Sequence, residues 1–231
     1  MKRLILAAMM ILFATTANAQ KDVTKFLGIP VDGTKAEMIQ KLKAKGFTST
    51  VYDREVLEGE FNGEMVNIHI ATNNNKVYRI VVVDQTKRDE EQIIIRFNTL
   101  CRQFEKNSKY TPIFDNPTIP DTENIFLGIK RSKEKYQAAY FQGDLTDTVM
   151  LRTSLEARRG YELLTQRFTQ EELDAKSQEE IMFEIKKISD ELLLELLEAK
   201  SVWFTIGEYF GKYMILMYYD NGYNRANGED L

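Results

Sequence analysis

Apolar residues recur along this chain with two different periods, and the switches between them mark out its elements. Residues 26–30, Phe-Leu-Gly-Ile-Pro, form a short apolar run that Pro30 ends. Thr34 and Glu37 stand at capping-box spacing, where hydroxyl and carboxylate satisfy each other's free backbone N–H groups. Met38, Ile39 and Leu42 fall on one helical face after that cap, and Gly46 suits the left-handed residue that closes a helix. The period then shortens, which predicts strands over 56–61, 65–72 and 77–84. Asn62-Gly63 between the first two is a two-residue hairpin signal, and a second turn falls over 73–76. The pattern predicts a three-stranded antiparallel meander behind a helix.

Helical spacing returns over 89–106, where Ile93, Ile94, Phe97, Leu100, Cys101 and Phe104 share a stripe. Residues 111–124 hold Pro112, Pro117 and Pro120, three of the chain's four prolines, and predict an ordered linker. Strands are expected over 125–130 and 135–141, whereas 143–169 fits a strand at 149–151 or a helix at 155–164. A long helix is expected over 171–199, with Ile181, Ile185, Ile188, Leu192 and Leu196 as its inner stripe. A closing hairpin pairs 202–206 with 213–219, and residues 220–231 form a polar tail. The expected fold class is α+β: antiparallel sheets, built as meander and hairpins, are backed by helices. Two halves, 20–110 and 125–231, are joined by the Pro-containing linker and carry two sheets or one composite sheet. The echo of Phe26-Leu27-Gly28-Ile29 in Phe126-Leu127-Gly128-Ile129 lacks a second capping box, so it reads as chance rather than duplication.

The first 19 residues change the picture of where the chain works. Lys2 and Arg3 precede an apolar run over 4–13, and Ala17-x-Ala19 supplies the small side chains of a cleavage site. This predicts a secretory signal peptide, with Gln20 as the new terminus and a periplasmic or secreted location. Ten apolar residues fall short of the roughly 20 that span a bilayer, and no later stretch reaches that length. Removing 1–19 leaves 29 basic and 35 acidic residues, so the formal charge moves from −4 to −6. An acidic surface without a basic stripe excludes nucleic acid as the expected partner. With one cysteine there is no internal disulfide, and the core alone holds the fold.

Candidate chemistry is sparse. His69, the only histidine, alternates onto the strand face opposite Val66, Ile68 and Ile70, so it is expected in solvent with no nucleophile beside it. Cys101 lies on a core stripe, where burial raises a thiol pKa and makes it inert. One His and one Cys leave no zinc set, and no cofactor motif is present. Glu58 and Glu60 share a strand face and are the one pair readable for carboxylate hydrolysis. Asp220-Asn221-Gly222 starts like a calcium loop, but Arg225 stands where Gly is required, so a solvated Asn/Gly turn is expected.

Aromatics crowd the end of the chain. The strand 213–219 is apolar or aromatic on both faces, which predicts a central strand covered on both sides, with the 171–199 helix against it. Trp203, Tyr209, Phe210 and Tyr223 are the candidate ligand or partner surface, because Tyr and Trp join an apolar body to a polar tip. The run Phe26-Leu27-Gly28-Ile29-Pro30, Gly33-Thr34 opening a helix, Lys45-Gly46-Phe47 and the meander resemble uncharacterised exported proteins of Gram-negative bacteria. More distantly, residues 24–85 are similar to the helix-plus-sheet modules of β-lactamase-inhibitor-like proteins and outer-membrane assembly lipoproteins. The lipoprotein cysteine is replaced by Gln20. The resemblance implies binding to a protein or carbohydrate rather than catalysis. The expected function is a non-enzymatic exported binding module; the alternatives are a carboxylate-dependent hydrolase, or an inhibitor of another exported enzyme that presents a hairpin tip.

Overall fold

A computed structural model describes residues 22–114, 117–133, 135–143 and 164–226. The expected signal peptide, most of 143–169 and the end of the tail lie outside these residues, as do the side chains of Leu192 and Leu196.

The chain is mixed α+β, with one eight-stranded antiparallel sheet and a separate two-stranded one. Strands β1 (Lys25–Phe26) and β2 (Ile29–Pro30) form the small hairpin. Helix α1 (Lys35–Lys43) starts at the predicted capping box, with the Glu37 N–H donating to Thr34 Oγ1 at 3.3 Å and the Thr34 N–H to Glu37 Oε2 at 3.0 Å. Its Met38 and Leu42 are fully buried. Strand β3 (Thr48–Ser49) leads to the meander β4 (Leu57–Phe61), β5 (Glu64–Asn73) and β6 (Lys76–Asp84). Helix α2 (Glu90–Lys106), capped by Asp89, buries Ile93, Ile94, Phe97, Leu100, Cys101 and Phe104, the stripe read from its spacing. Then follow β7 (Tyr110–Pro112), a short helix α3 (Ile125–Leu127) running on as a π-turn through Ser132, and β8 (Gln137–Gln142). Helices α4 (Gln170–Asp174) and α5 (Gln178–Ala199) precede the hairpin of β9 (Ser201–Tyr209) and β10 (Lys212–Asp220).

Strand order β3-β4-β5-β6-β10-β9-β8-β7 places the C-terminal hairpin between the meander and β8, so both halves of the chain share one sheet. Helix α1 packs on β5 and β6, and α2 on β7, β9 and β10. Phe204, fully buried on β9, meets Phe97, Phe104 and Tyr140 at centroid distances of 5.0, 5.7 and 6.2 Å. Three-ring contact of this kind adds to burial as the glue of the core.

Four expectations are corrected. Residues 125–130 are helical, because Asn124 caps the turn by accepting the Leu127 N–H at 2.8 Å. The echo of residues 26–29 at 126–129 is thus a helical turn in one place and a hairpin in the other. The expected 171–199 helix breaks after Asp174, and a second capping box at Ser177 and Glu180 starts α5. Residues 111–124 begin as a sheet strand, and buried Asn98 holds Ile119 through both its amide atoms, at 2.7 and 2.8 Å. Among the described residues the β10 strand is buried on one face and half-buried on the other. Tyr213, Ile215, Met217 and Tyr219 are buried against α2, whereas Met214, Leu216 and Tyr218 are half-buried on the outer face. Helix α5 joins a satellite cluster of Leu164, Phe168, Leu173, Ile181, Ile185 and Ile188, and it also lies against the Gly222–Asn224 turn that follows β10.

No helix among the described residues is long and apolar enough to cross a membrane.

Candidate functional site

Four two-residue hairpins share one backbone and differ in what they carry at the tip. Both central residues have positive φ, the signature of a type I′ turn, at Leu27-Gly28, Asn62-Gly63, Asn74-Asn75 and Phe210-Gly211. Asn enters left-handed backbone at little cost because its amide bonds locally; Leu and Phe do not. Yet Leu27 sits at φ 50° and 40% exposed, and Phe210 at φ 50° and 88% exposed. Each apolar tip marks one end of the molecule.

Leu27 borders the larger feature, a cleft of about 990 Å³. One wall is the β1–β2 hairpin with Asp22, Val23 and Lys25. The end of β4 with Glu60, Phe61 and Asn62, and the last turn of α2 with Gln103 and Phe104, also line the cleft. Lys109, Tyr110, Gln142 and Lys200 close the rim, and Met217 and Tyr219 lie at the base.

Side-chain amides hold the first wall in place. The Lys25 N–H donates to Gln142 Oε1 at 2.5 Å, and Gln142 Nε2 donates to Lys25 O at 2.8 Å, so one side chain acts as a neighbouring strand. Asn221 Nδ2 donates to Val31 O at 2.7 Å, and Asn224 Nδ2 to Asp32 Oδ1 and Val77 O at 2.8 Å each. The Asn/Gly segment read as a solvated turn is therefore a clasp, with Asn221 only 1% exposed. Gln142 and Lys25, which bond each other, both line the cleft; a cleft formed before its ligand arrives is the usual state of a small-molecule site.

Its electrostatics are uneven. Asp22 and Lys200 are paired at 2.6 Å. Lys25, Lys109 and Glu60 have no ion-pair partner among the described residues. At the base, complete burial pushes the Tyr219 phenol well above its ordinary pKa and keeps it neutral. Of the pair Glu58 and Glu60, only Glu60 borders the cleft. The two carboxylates do not converge on one space.

The second end is the β9–β10 tip. Tyr209 and Phe210 meet edge to face at 4.6 Å, and the Lys87 ammonium sits 3.9 Å from the centre of the Tyr209 ring. Glu208 braces the turn by accepting the Gly211 N–H at 2.8 Å and pairing with Lys130 at 2.9 Å. Those two donors hold its carboxyl below the usual range.

The four candidate surface residues therefore separate. Tyr209 and Phe210 form the tip. Trp203 lies six residues back along β9, about 20 Å away at strand rise, and belongs to a closed cluster. Its ring stacks on Tyr218 at 3.9 Å, its indole N–H donates to Asp220 at 3.0 Å, and Arg79 holds the same carboxylate through two bonds of 2.5 and 2.7 Å. Tyr223 lies past the opposite end of β10, in the turn Gly222–Asn224. His69 is exposed as expected, and burial pushes the Cys101 thiol up to about 11, with the Tyr140 hydroxyl opposing. Among the described residues no cluster of three or more His, Cys, Asp or Glu could hold a metal ion.

Sequence reasoning passed over the cleft. Its available signal was Leu27-Gly28 between two extended dipeptides, an X-Gly turn with an apolar residue where Asn is the default. Comparison of the chain with protein-family models, curated proteins and solved structures finds no match.

Proposed function

We propose that this chain is an exported, non-enzymatic binding protein whose ligand seat is the cleft between the β1–β2 hairpin and the end of α2. The observation that carries the reading is the combination of a preformed cleft of about 990 Å³ with an apolar turn residue, Leu27, held at its mouth. A hydrolase would need two carboxylates facing one substrate, and here Glu60 stands without Glu58 while Asp22 is tied to Lys200. Export rests on the n-region, apolar run and Ala17-x-Ala19 of the leader, and a periplasmic or secreted location follows from it.

Intact-mass and native mass spectrometry of protein taken from its own cell envelope test both halves of this reading. The expected chain starts at Gln20 and carries a small molecule that the variant Leu27→Asn loses. A chain starting at Met1 contradicts export; a ligand retained equally by both proteins contradicts the seat.

The braced aromatic tip supports a second reading, contact with a partner protein. Phe210, 88% exposed on a braced turn, is an apolar group offered to a foreign pocket, as an inhibitor's loop would be.

A further inference from the structure

We propose that the cleft takes an amphipathic anion: an apolar body lies against Leu27, Phe61, Phe104 and Met217, and an acidic head meets Lys25 and Lys109. This assignment rests on the reading of the cleft as a ligand seat and adds the chemistry of the ligand.

Two independent observations point there. The first is apolar. Type I′ turns in this chain carry Asn at 62 and 74; two of the chain's type I′ turns line the cleft, and where 62–63 carries Asn the 27–28 turn carries Leu. A left-handed Leu is unfavourable by itself and leaves 40% of its surface in water, so its position makes sense when an apolar body covers it. Phe61, Phe104 and Met217 continue that surface inward.

The second is charge. Five ionisable side chains other than tyrosine border the cleft: Asp22, Lys25, Glu60, Lys109 and Lys200. The Asp22–Lys200 pair cancels. That leaves two unpaired ammonium groups against one carboxylate, a local positive excess on a chain of formal charge −4. An uncharged ligand leaves both lysines without a partner, and a cation is repelled by them. An extended polyanion meets the acidic remainder of the surface, whereas a compact head on an apolar body meets only the cleft. Lysine stems also lie along apolar surface while their ammonium groups reach out to an anion. Carboxylate, phosphate and sulfonate heads share the required chemistry, a single compact negative charge.

Two dyes of nearly the same aromatic body separate the parts of the assignment. 8-Anilinonaphthalene-1-sulfonate is anionic, and N-phenyl-1-naphthylamine is uncharged; each is titrated by fluorescence into the folded chain lacking residues 1–19. Both are expected to bind, the sulfonate more tightly. The double variant K25Q/K109Q weakens the sulfonate about tenfold and leaves the amine within about twofold, since each exposed pairing is worth a few-fold in affinity. Raising salt acts on the sulfonate alone. Glu60→Gln tightens the sulfonate, a sign that general loss of structure does not produce. Decanoate displaces both dyes, and inorganic phosphate at the same concentration displaces neither.

Amine binding that Leu27→Asn weakens, together with sulfonate binding indifferent to the lysines, overturns the anionic head and leaves the seat standing. Displacement by inorganic phosphate as effective as by decanoate overturns the apolar body and points to a free oxyanion. Failure of both dyes to bind, or binding indifferent to Leu27→Asn, overturns the seat itself.

Discussion

Phe204 and Phe210 lie on the same hairpin, six residues apart, at 0% and 88% exposure. The first is locked among Phe97, Phe104 and Tyr140; the second stands in left-handed backbone with the Tyr209 ring against it. Burial explains Phe204 completely. It explains nothing about Phe210, and the same contrast holds between Leu27 and the asparagines at 62 and 74. Asn62 and Asn74 turn the chain in backbone that Asn tolerates, whereas Leu27 at the cleft and Phe210 at the free tip stand in backbone that disfavours them, although Asn62 lines the same cleft. Local rules broken in this way cluster at functional positions.

Substitutions break the comparison in order of size. Phe204→Ala is expected to cost about 3–5 kcal/mol in denaturant unfolding, as deletion of a buried aromatic does; a loss below 1 kcal/mol would remove Phe204 from the core. Asn74→Leu, which converts a plain turn into the Leu27 kind, should cost about 1–2 kcal/mol through left-handed strain. Equal stability of that variant and its parent would mean that apolar tips are free of cost here. Phe210→Asn runs the exchange the other way and should stabilise by about 0.5–1 kcal/mol, because little burial is lost at 88% exposure. A destabilised Phe210→Asn protein would show that the tip is structural.

The smallest effect is on pH. Glu208 has its carboxyl held below the usual range by the Gly211 N–H and Lys130. A depressed acid contributes its bracing above the ordinary carboxylate pKa of about 4.5 and loses it as pH falls through the lower folded value. The Gly211 amide resonance should therefore hold steady from neutrality down to about pH 5 and move below it, and in Glu208→Gln that movement should vanish.

Much of the fold was legible because it follows from periodicity and capping. The box at Thr34 and Glu37, the stripe from Ile93 to Phe104 and the turn at Asn62-Gly63 are local signals, and local signals survive into the structure. What periodicity cannot carry is which elements meet. The C-terminal hairpin packs on α2 because it inserts beside β6; nothing in the 213–219 pattern names that neighbour. The strand also looked covered on both sides because Met214, Leu216 and Tyr218 are apolar, and apolar residues at half exposure are common on protein surfaces. The helix break after Asp174 was readable, since Ser177 and Glu180 have capping-box spacing. The cleft was least legible. Its lining comes from six separate stretches of chain, and Gln142 bonds Lys25 across more than 100 residues to join two of them.

On the proposed reading, Leu27 is kept for binding at the expense of an easier turn. Leu27→Asn tests it most directly when melting temperature and N-phenyl-1-naphthylamine affinity are measured on the same preparation. The account predicts a melting temperature within a few degrees of the parent, as a relieved left-handed strain offsets the lost apolar contact, and an affinity weakened about tenfold or more. A variant that melts much lower while binding the dye unchanged would make Leu27 a packing residue and contradict the account.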